Sequence, residues 1–307
     1  MKQVGERGSL LVVALGLVAI LSALAVAIAR YLSVEVRLTT YRLALAQAEA
    51  LARSGIYLAI ERLQEDVGRD GEGYDWLQDD WAYFPEDHPE DPTIWVVKLP
   101  DKEVGASAVD RTIEIQIVDE ERRLPLNQVR DDPANRWFTA LSELLGSPGQ
   151  ARWIAEAVVA NGGAVVAHEE LLTIPDMTEA FSTLREYTSI ARGIRKLNIN
   201  TVDPKVLVAL GMASMTAQAL DACREGGVIF ETEAAILTTA EACAGATGLG
   251  ETERSLLASA FGVTSQVFTV VSQGALERPL VNVRVEALIQ RSANGDETPR
   301  ILAWRQS

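Results

Sequence analysis

The chain holds 307 residues, with 28 Lys and Arg against 43 Asp and Glu, for a formal net charge of −15. That balance argues against a nucleic-acid binder, which needs a surplus of Lys and Arg on one face, and 48% apolar residues exclude wholesale disorder. Two cysteines, Cys223 and Cys243, and two histidines, His88 and His168, rule out a four-cysteine zinc site and leave little for His-based chemistry.

Ser9 to Ala29 is an uninterrupted, uncharged apolar run, SLLVVALGLVAILSALAVAIA, long enough as a helix to span one hydrocarbon core. The short leader MKQVGERG precedes it, and no small-x-small cleavage signal follows. The segment therefore reads as a retained anchor rather than an ordinary secretory signal. Lys2 and Arg7 lie before the run and Arg30, Arg37 and Arg42 after it, so charge alone leaves the orientation open.

From Tyr31 to Asp66 there is no proline and only Gly55, while Val34, Leu38, Tyr41, Leu45, Ile56, Ile60 and Leu63 recur at helical spacing among many alanines. The spacing predicts one helix from Ser9 to Asp66, half in lipid and half an amphipathic arm, stopped by Gly68, Gly71 and Gly73. The polar stretch that follows carries Trp76, Trp81, Tyr83 and Phe84, aromatics that call for a sheet to pack on.

Strands are predicted at Thr93 to Leu99 and at Arg111 to Val118, where Ile113, Ile115 and Ile117 alternate with polar residues. Helical spacing with Gly and Pro punctuation then runs from Leu124 to about Ala260. Strands return at Gln266 to Ser272, Leu280 to Arg291 and Arg300 to Arg305. This is an α+β organisation: one antiparallel sheet with a large all-α domain inserted between its strands.

Within the insertion, LNINTVDPKVLVALGMASMTAQALDACREGG reads as a helix-hairpin-helix-like part, with Asp203 capping a helix begun at Pro204 and a turn near Gly211. DNA-binding hairpins are supported by nearby Lys or Arg, and ALGMASM has neither, so a packing or interaction module is expected and no nucleic-acid partner.

Two acidic clusters have enough oxygens for calcium: Asp66, Asp70, Glu72 and Asp75, and Glu86, Asp87, Glu90 and Asp91 around His88. Neither has EF-hand spacing, and solvated acidic loops are the commoner outcome. His168-Glu169-Glu170 lacks the second histidine of a zincin, and there is no Walker loop, Gly-x-Ser-x-Gly elbow or Cys-x-x-Cys, so no enzymatic activity is expected. Cys223 and Cys243 suit either one disulfide or two buried thiols.

A charged leader ending in Gly8, followed directly by an anchor helix that runs on into a body, resembles the signal of type IV pilins and type II secretion pseudopilins. That resemblance implies cleavage between Gly8 and Ser9 by prepilin peptidase. It also draws attention to Val13, which stands at the fifth mature position where most of that superfamily carries glutamate. AQAEALARSGIYLAIERLQED, YDWLQDDW, IQIVDEERRLPLNQV, HEELLTIPDMTEAFSTLREYTSI, LNINTVDPKVLVAL, VRVEALIQR and ILAWRQ follow in an order that resembles the minor pseudopilin K family, general secretion pathway K, over nearly the whole chain. Lack of the glutamate is itself a feature of that family.

The resemblance implies a pseudopilin-like fold: a leader at 1–8, a transmembrane and amphipathic helix at 9–66, a sheet domain at 67–123 and 264–307, and an inserted helical domain at 124–263. It implies a non-enzymatic subunit of the pseudopilus tip, held in the inner membrane with its body in the periplasm. Partners would be I- and J-type minor pseudopilins, the major pseudopilin and membrane lipid. Ala14, Gly16, Ser22, Ala23 and Ala25 would allow close helix-helix assembly. The chain departs from the family after WIAEAVVAN, where only Asn161-Gly-Gly-Ala precedes His168, which puts in doubt any calcium site built there. The rival readings are a membrane-anchored periplasmic binding protein and a minor pilin of a related pilus machine.

Overall fold

The computed structural model describes residues 5–69, 73–99, 111–245, 248–291 and 298–306. Helix α1 (Gly5–Arg69) has 65 residues and is roughly 100 Å long at 1.5 Å per residue. It overruns its predicted C-terminal end and passes through Gly68, because one glycine costs a helix only about 1 kcal/mol. Ala44, Ala48, Ala52, Ile56, Ala59 and Leu63 are buried on one face at spacings of three and four.

After α1 the chain forms a looped segment and two strands, β1 (Ile94–Leu99) and β2 (Arg111–Asp119). In the loop Trp81 is fully buried, edge-on to Phe268 with ring centroids 5.2 Å apart, and Phe84 stacks on Trp95 at 5.7 Å. Trp76 is half-buried and Tyr83 is exposed.

The insertion then contributes β3 (Leu124–Pro125), α2 (Arg136–Leu145), α3 (Pro148–Ala160), α4 (Met177–Tyr187), β4 (Thr188–Ser189), β5 (Leu197–Asn198), α5 (Pro204–Ala209), α6 (Ser214–Glu225), α7 (Ile236–Ala244), α8 (Glu251–Ala260) and β6 (Phe261–Gly262). Helices α2, α3 and α5 start where the sequence offers caps. Asn135 accepts the Phe138 amide at 2.9 Å, Ser147 precedes Pro148, and Asp203 accepts the Lys205 amide at 2.8 Å. The insertion is not wholly helical: β3 pairs with β4 and β5 with β6, both parallel. Buried dipeptides carry no periodicity, so these pairs have no signature in the sequence.

The chain returns to the sheet as β7 (Val267–Glu277), β8 (Leu280–Gln290) and β9 (Arg300–Gln306). The sheet order is β1-β2-β7-β8-β9, antiparallel throughout. One core lies between α1 and the sheet, where Ile56 and Leu63 meet Ile113, Ile115, Phe268, Val285 and Ile289. A second fills the insertion around Phe138, Leu141, Ile154, Leu184, Leu207, Leu220 and Phe230.

Candidate assembly helix and the polar node at its foot

Only the lower part of α1 rests on protein. From Leu11 to Leu43 every side chain is exposed. By length and composition Leu11–Asp66 can cross a membrane. The stripe that is buried at Ala48, Ala52 and Ile56 continues upward as Leu45, Tyr41, Leu38 and Val34, the same face now uncovered. Exposed apolar surface of that extent marks an interaction site.

The small residues expected to mediate close packing do not form a single face. At 3.6 residues per turn, Ala14, Ser22 and Ala25 fall on one side of α1 and Gly16 and Ala23 on the opposite side. Val13 is exposed between them. Gly8 and Ser9 lie in the first turns of α1, with no break in the helix at their junction.

At the other end of the helix a buried polar node ties four parts of the chain together. Arg291, which follows β8, donates to Asp66 of α1 at 2.9 Å, to Asp75 of the loop and to the Ser265 carbonyl at 2.9 Å. Its guanidinium lies 4.9 Å from the Phe268 ring centroid. Asp75 also accepts the Ser265 amide at 2.6 Å. At the end of β2, Asp119 accepts from the Ser265 hydroxyl at 2.7 Å, the Glu121 amide at 2.7 Å and the Thr201 hydroxyl. Asn198 donates to the Asp75 carbonyl at 3.0 Å and the Ser265 hydroxyl at 2.8 Å. The node therefore joins α1, the aromatic loop, the sheet and the insertion.

Burial raises its acids. The Asp119 carboxyl is pushed up to about 6, chiefly by burial and against its own hydrogen bonds. Glu121, buried beside the Asp119 charge, rises to about 8, and Asp79 rises to about 7 through burial and the nearby Asp66 and Asp75. Burial opposes the charge on Arg291, yet the carboxylates of Asp75 and Asp66 hold its pKa above the ordinary value.

The calcium expectation meets a different arrangement here. Asp70 and Glu72 lie outside the described residues, and Asp79 joins Asp66 and Asp75 instead, with donor atoms within 4.8 Å of one another. Two of the three carboxylates already carry Arg291, and Asp79 accepts from the Trp76 amide at 2.9 Å and the Trp81 indole at 3.2 Å. Calcium takes six to eight oxygens, so this donor set fits a guanidinium rather than the metal. In the second cluster Asp91 is spent on Thr93, its amide bonds to His88 Nδ1 at 2.9 Å, and Glu86, Asp87 and Glu90 are exposed.

Cys223 of α6 and Cys243 of α7 form a disulfide, with Cα atoms 5.8 Å apart. In the hairpin, α5 and α6 flank Gly211, whose φ of +98° suits a residue without Cβ. Lys205 there donates to the Tyr187 hydroxyl at 2.8 Å. His168 sits at the start of a short 3-10 helix against Thr188. Sequence reasoning missed Asp79, Asp119, Ser265 and Arg291. For Asp119 the signal available was the run of charges DEERR closing a buried strand.

No family model matches the chain, and no curated protein matches it. Among solved structures, it resembles a chain in the crystal structure of the GspK-GspI-GspJ complex from the enterotoxigenic Escherichia coli Type 2 Secretion System. The TM-score is 0.63 at 14% identity, covering 88% of this chain and 99% of that one. At that identity the likeness is one of fold, and the long apolar helix, antiparallel sheet and helical insertion of this chain are those of a pseudopilin-like fold of the GspK type.

Proposed function

We propose that this chain is a K-type minor pseudopilin of a type II secretion system. In this reading Ser9 to Ala29 hold it in the inner membrane and the body lies in the periplasm. Prepilin peptidase cuts between Gly8 and Ser9, and the mature chain joins I- and J-type minor pseudopilins at the tip of the pseudopilus, above the major pseudopilin. The single observation that carries the reading is α1 itself, one unbroken helix whose upper half and apolar stripe have no partner among the described residues, on a fold shared with a chain of the GspK-GspI-GspJ complex.

Small residues on two opposite sides of α1 suit a helix with neighbours on both flanks. Val13 offers no carboxylate to the terminal amine of a subunit ahead of it, which suits the first position in a fibre. The bulk of the insertion obstructs any further subunit at that end.

The test is the intact mass and N-terminal sequence of the protein made with and without its prepilin peptidase, followed by purification with I- and J-type partners. A chain starting at Ser9 only when the peptidase is present, and retained by both partners, is the expected result. An unprocessed chain in both cases would overturn the reading, and so would a reconstituted fibre carrying the protein along its shaft.

A further inference from the structure

The sheet has one face sealed by α1 and one that is not. On the open face Val118 of β2, Val271 of β7 and Leu288 of β8 form an apolar floor. The insertion rises beside it through Val166, His168 and Ile190, enclosing a groove of about 830 Å³. Val166 is 69% exposed on that wall.

The charge of this groove runs against that of the protein. In a chain of net charge −15 the groove is lined by five arginines and three glutamates. The glutamates are already answered. Glu120 holds Arg123 at 3.1 Å and the Thr269 hydroxyl at 2.7 Å, while Arg305 spans Glu169 at 3.2 Å and Glu286 at 3.1 Å. Arg185 at the end of α4, Arg192 in the loop after β4 and Arg284 on β8 form no hydrogen bond or salt bridge among the described residues. Arg185 acts on Glu169 only through space, and exposed guanidinium groups around an apolar floor suit carboxylates carried on a segment with apolar side chains, since arginine pairs carboxylate through two parallel hydrogen bonds.

The shape sets the form of the ligand. The groove spans four strands, β2, β7, β8 and β9, about 4.8 Å apart and so about 14 Å across, the length of four or five extended residues at about 3.3 Å each. Arg284 rises from the same sheet face as the floor, and Arg185 and Arg192 stand on the insertion beside it, so an extended segment carrying both acidic and apolar side chains would meet arginines and floor at once.

We propose that this groove docks an extended acidic segment of a partner protein, four or five residues carrying both carboxylate and apolar side chains. Arg185, Arg192 and Arg284 receive the carboxylates, and Val118, Val271 and Leu288 receive the apolar side chains. The assignment rests on the groove alone and stands whether or not the chain serves a secretion system.

The test uses the full chain in detergent micelles and fluorescence anisotropy of a labelled peptide alternating Glu and Leu, with a Lys and Leu peptide as counterpart. The acidic peptide should bind, more weakly as salt rises, and the basic one should not. Arg192→Glu and Arg284→Glu should each weaken binding about tenfold or more, as reversal of a complementary charge does. Arg284→Gln should weaken it less, and Arg195→Glu, exposed outside the groove, should leave it unchanged. Equal binding of the two peptides, binding of neither, or groove variants that bind like the parent would overturn the proposal. Self-association through the same arginines, or an oligonucleotide held as tightly as the peptide, would do so as well.

Discussion

Gly274 of β7 lies so close beneath Ala48 of α1 that a Cβ on the glycine would stand 2.2 Å from the Ala48 carbonyl oxygen and 2.6 Å from the Ala52 nitrogen. Both obstacles are backbone, so no rotamer change relieves the clash. Gly274→Ala should push α1 off the sheet at a cost of about 3 kcal/mol, the upper end for overpacked cores. Urea unfolding of the two proteins measures it, and an unchanged midpoint would mean that helix and sheet are not in this contact.

A neighbouring contact predicts the opposite sign. Ser272 is fully buried and its hydroxyl has no hydrogen-bond partner among the described residues, directly below Gly55 of α1. Removing an unsatisfied buried hydroxyl relieves a desolvation cost of about 1–3 kcal/mol. Ser272→Ala should therefore raise the melting temperature, whereas Gly55→Ala should lower it.

Arg291 is the counter-charge for two buried carboxylates, so its loss strands them. Arg291→Met should destabilise by about 3–5 kcal/mol, and adding Asp75→Asn should recover part of that. Arg291→Lys should fall between parent and Arg291→Met, because one ammonium cannot fork to Asp66, Asp75 and the Ser265 carbonyl together. A double-mutant cycle by chemical denaturation gives the coupling directly.

The pH dependence follows from the same node. Asp119, Asp79 and Glu121 have folded pKa values of about 6, 7 and 8, above the roughly 4 of an unfolded carboxyl. The folded state thus binds the extra protons, and this stabilisation is full below about pH 4 and is lost as pH rises through 6 to 8. Asp91, Glu169 and Glu253 are held below their ordinary values and act oppositely, losing their contribution as pH falls. Stability should therefore peak at mildly acidic pH and decline towards pH 8. Glu121→Gln should flatten the decline above pH 7, as read from melting temperatures across the range.

The disulfide closes a loop with a sequence separation of 20 between α6 and α7. In the chain-entropy account a loop of that size contributes about 3 kcal/mol. Replacing Cys223 and Cys243 together by serine should lower the unfolding free energy by that amount, and reductant should lower that of the parent but not of the variant.

Periodic elements were legible because their signals are local. The arm's apolar spacing gave α1, and Ile113, Ile115 and Ile117 all face the helix as alternation requires. Asp203-Pro204 marks the start of α5. The node was not legible, because its members lie far apart in the chain: Arg291 meets Asp66 and Asp75 across 225 and 216 positions. Asn198 was visible only as a residue ahead of a helix, yet it bonds to Asp75 and Ser265. The tight seam at Gly274 was hidden for a related reason, since a lone glycine in a strand does not reveal which backbone approaches it.

The insertion leaves the sheet at the end of β2 and returns at the start of β7, and these two strands are paired neighbours, with Asp119 opposite Phe268. Topologically the whole helical body is an overgrown hairpin turn. Closing such a turn costs only about 0.6 kcal/mol for each doubling of its length. A lineage could enlarge, trim or replace this cassette while the long helix α1 and its sheet stayed in register, so the two halves of the molecule are free to diverge at different rates.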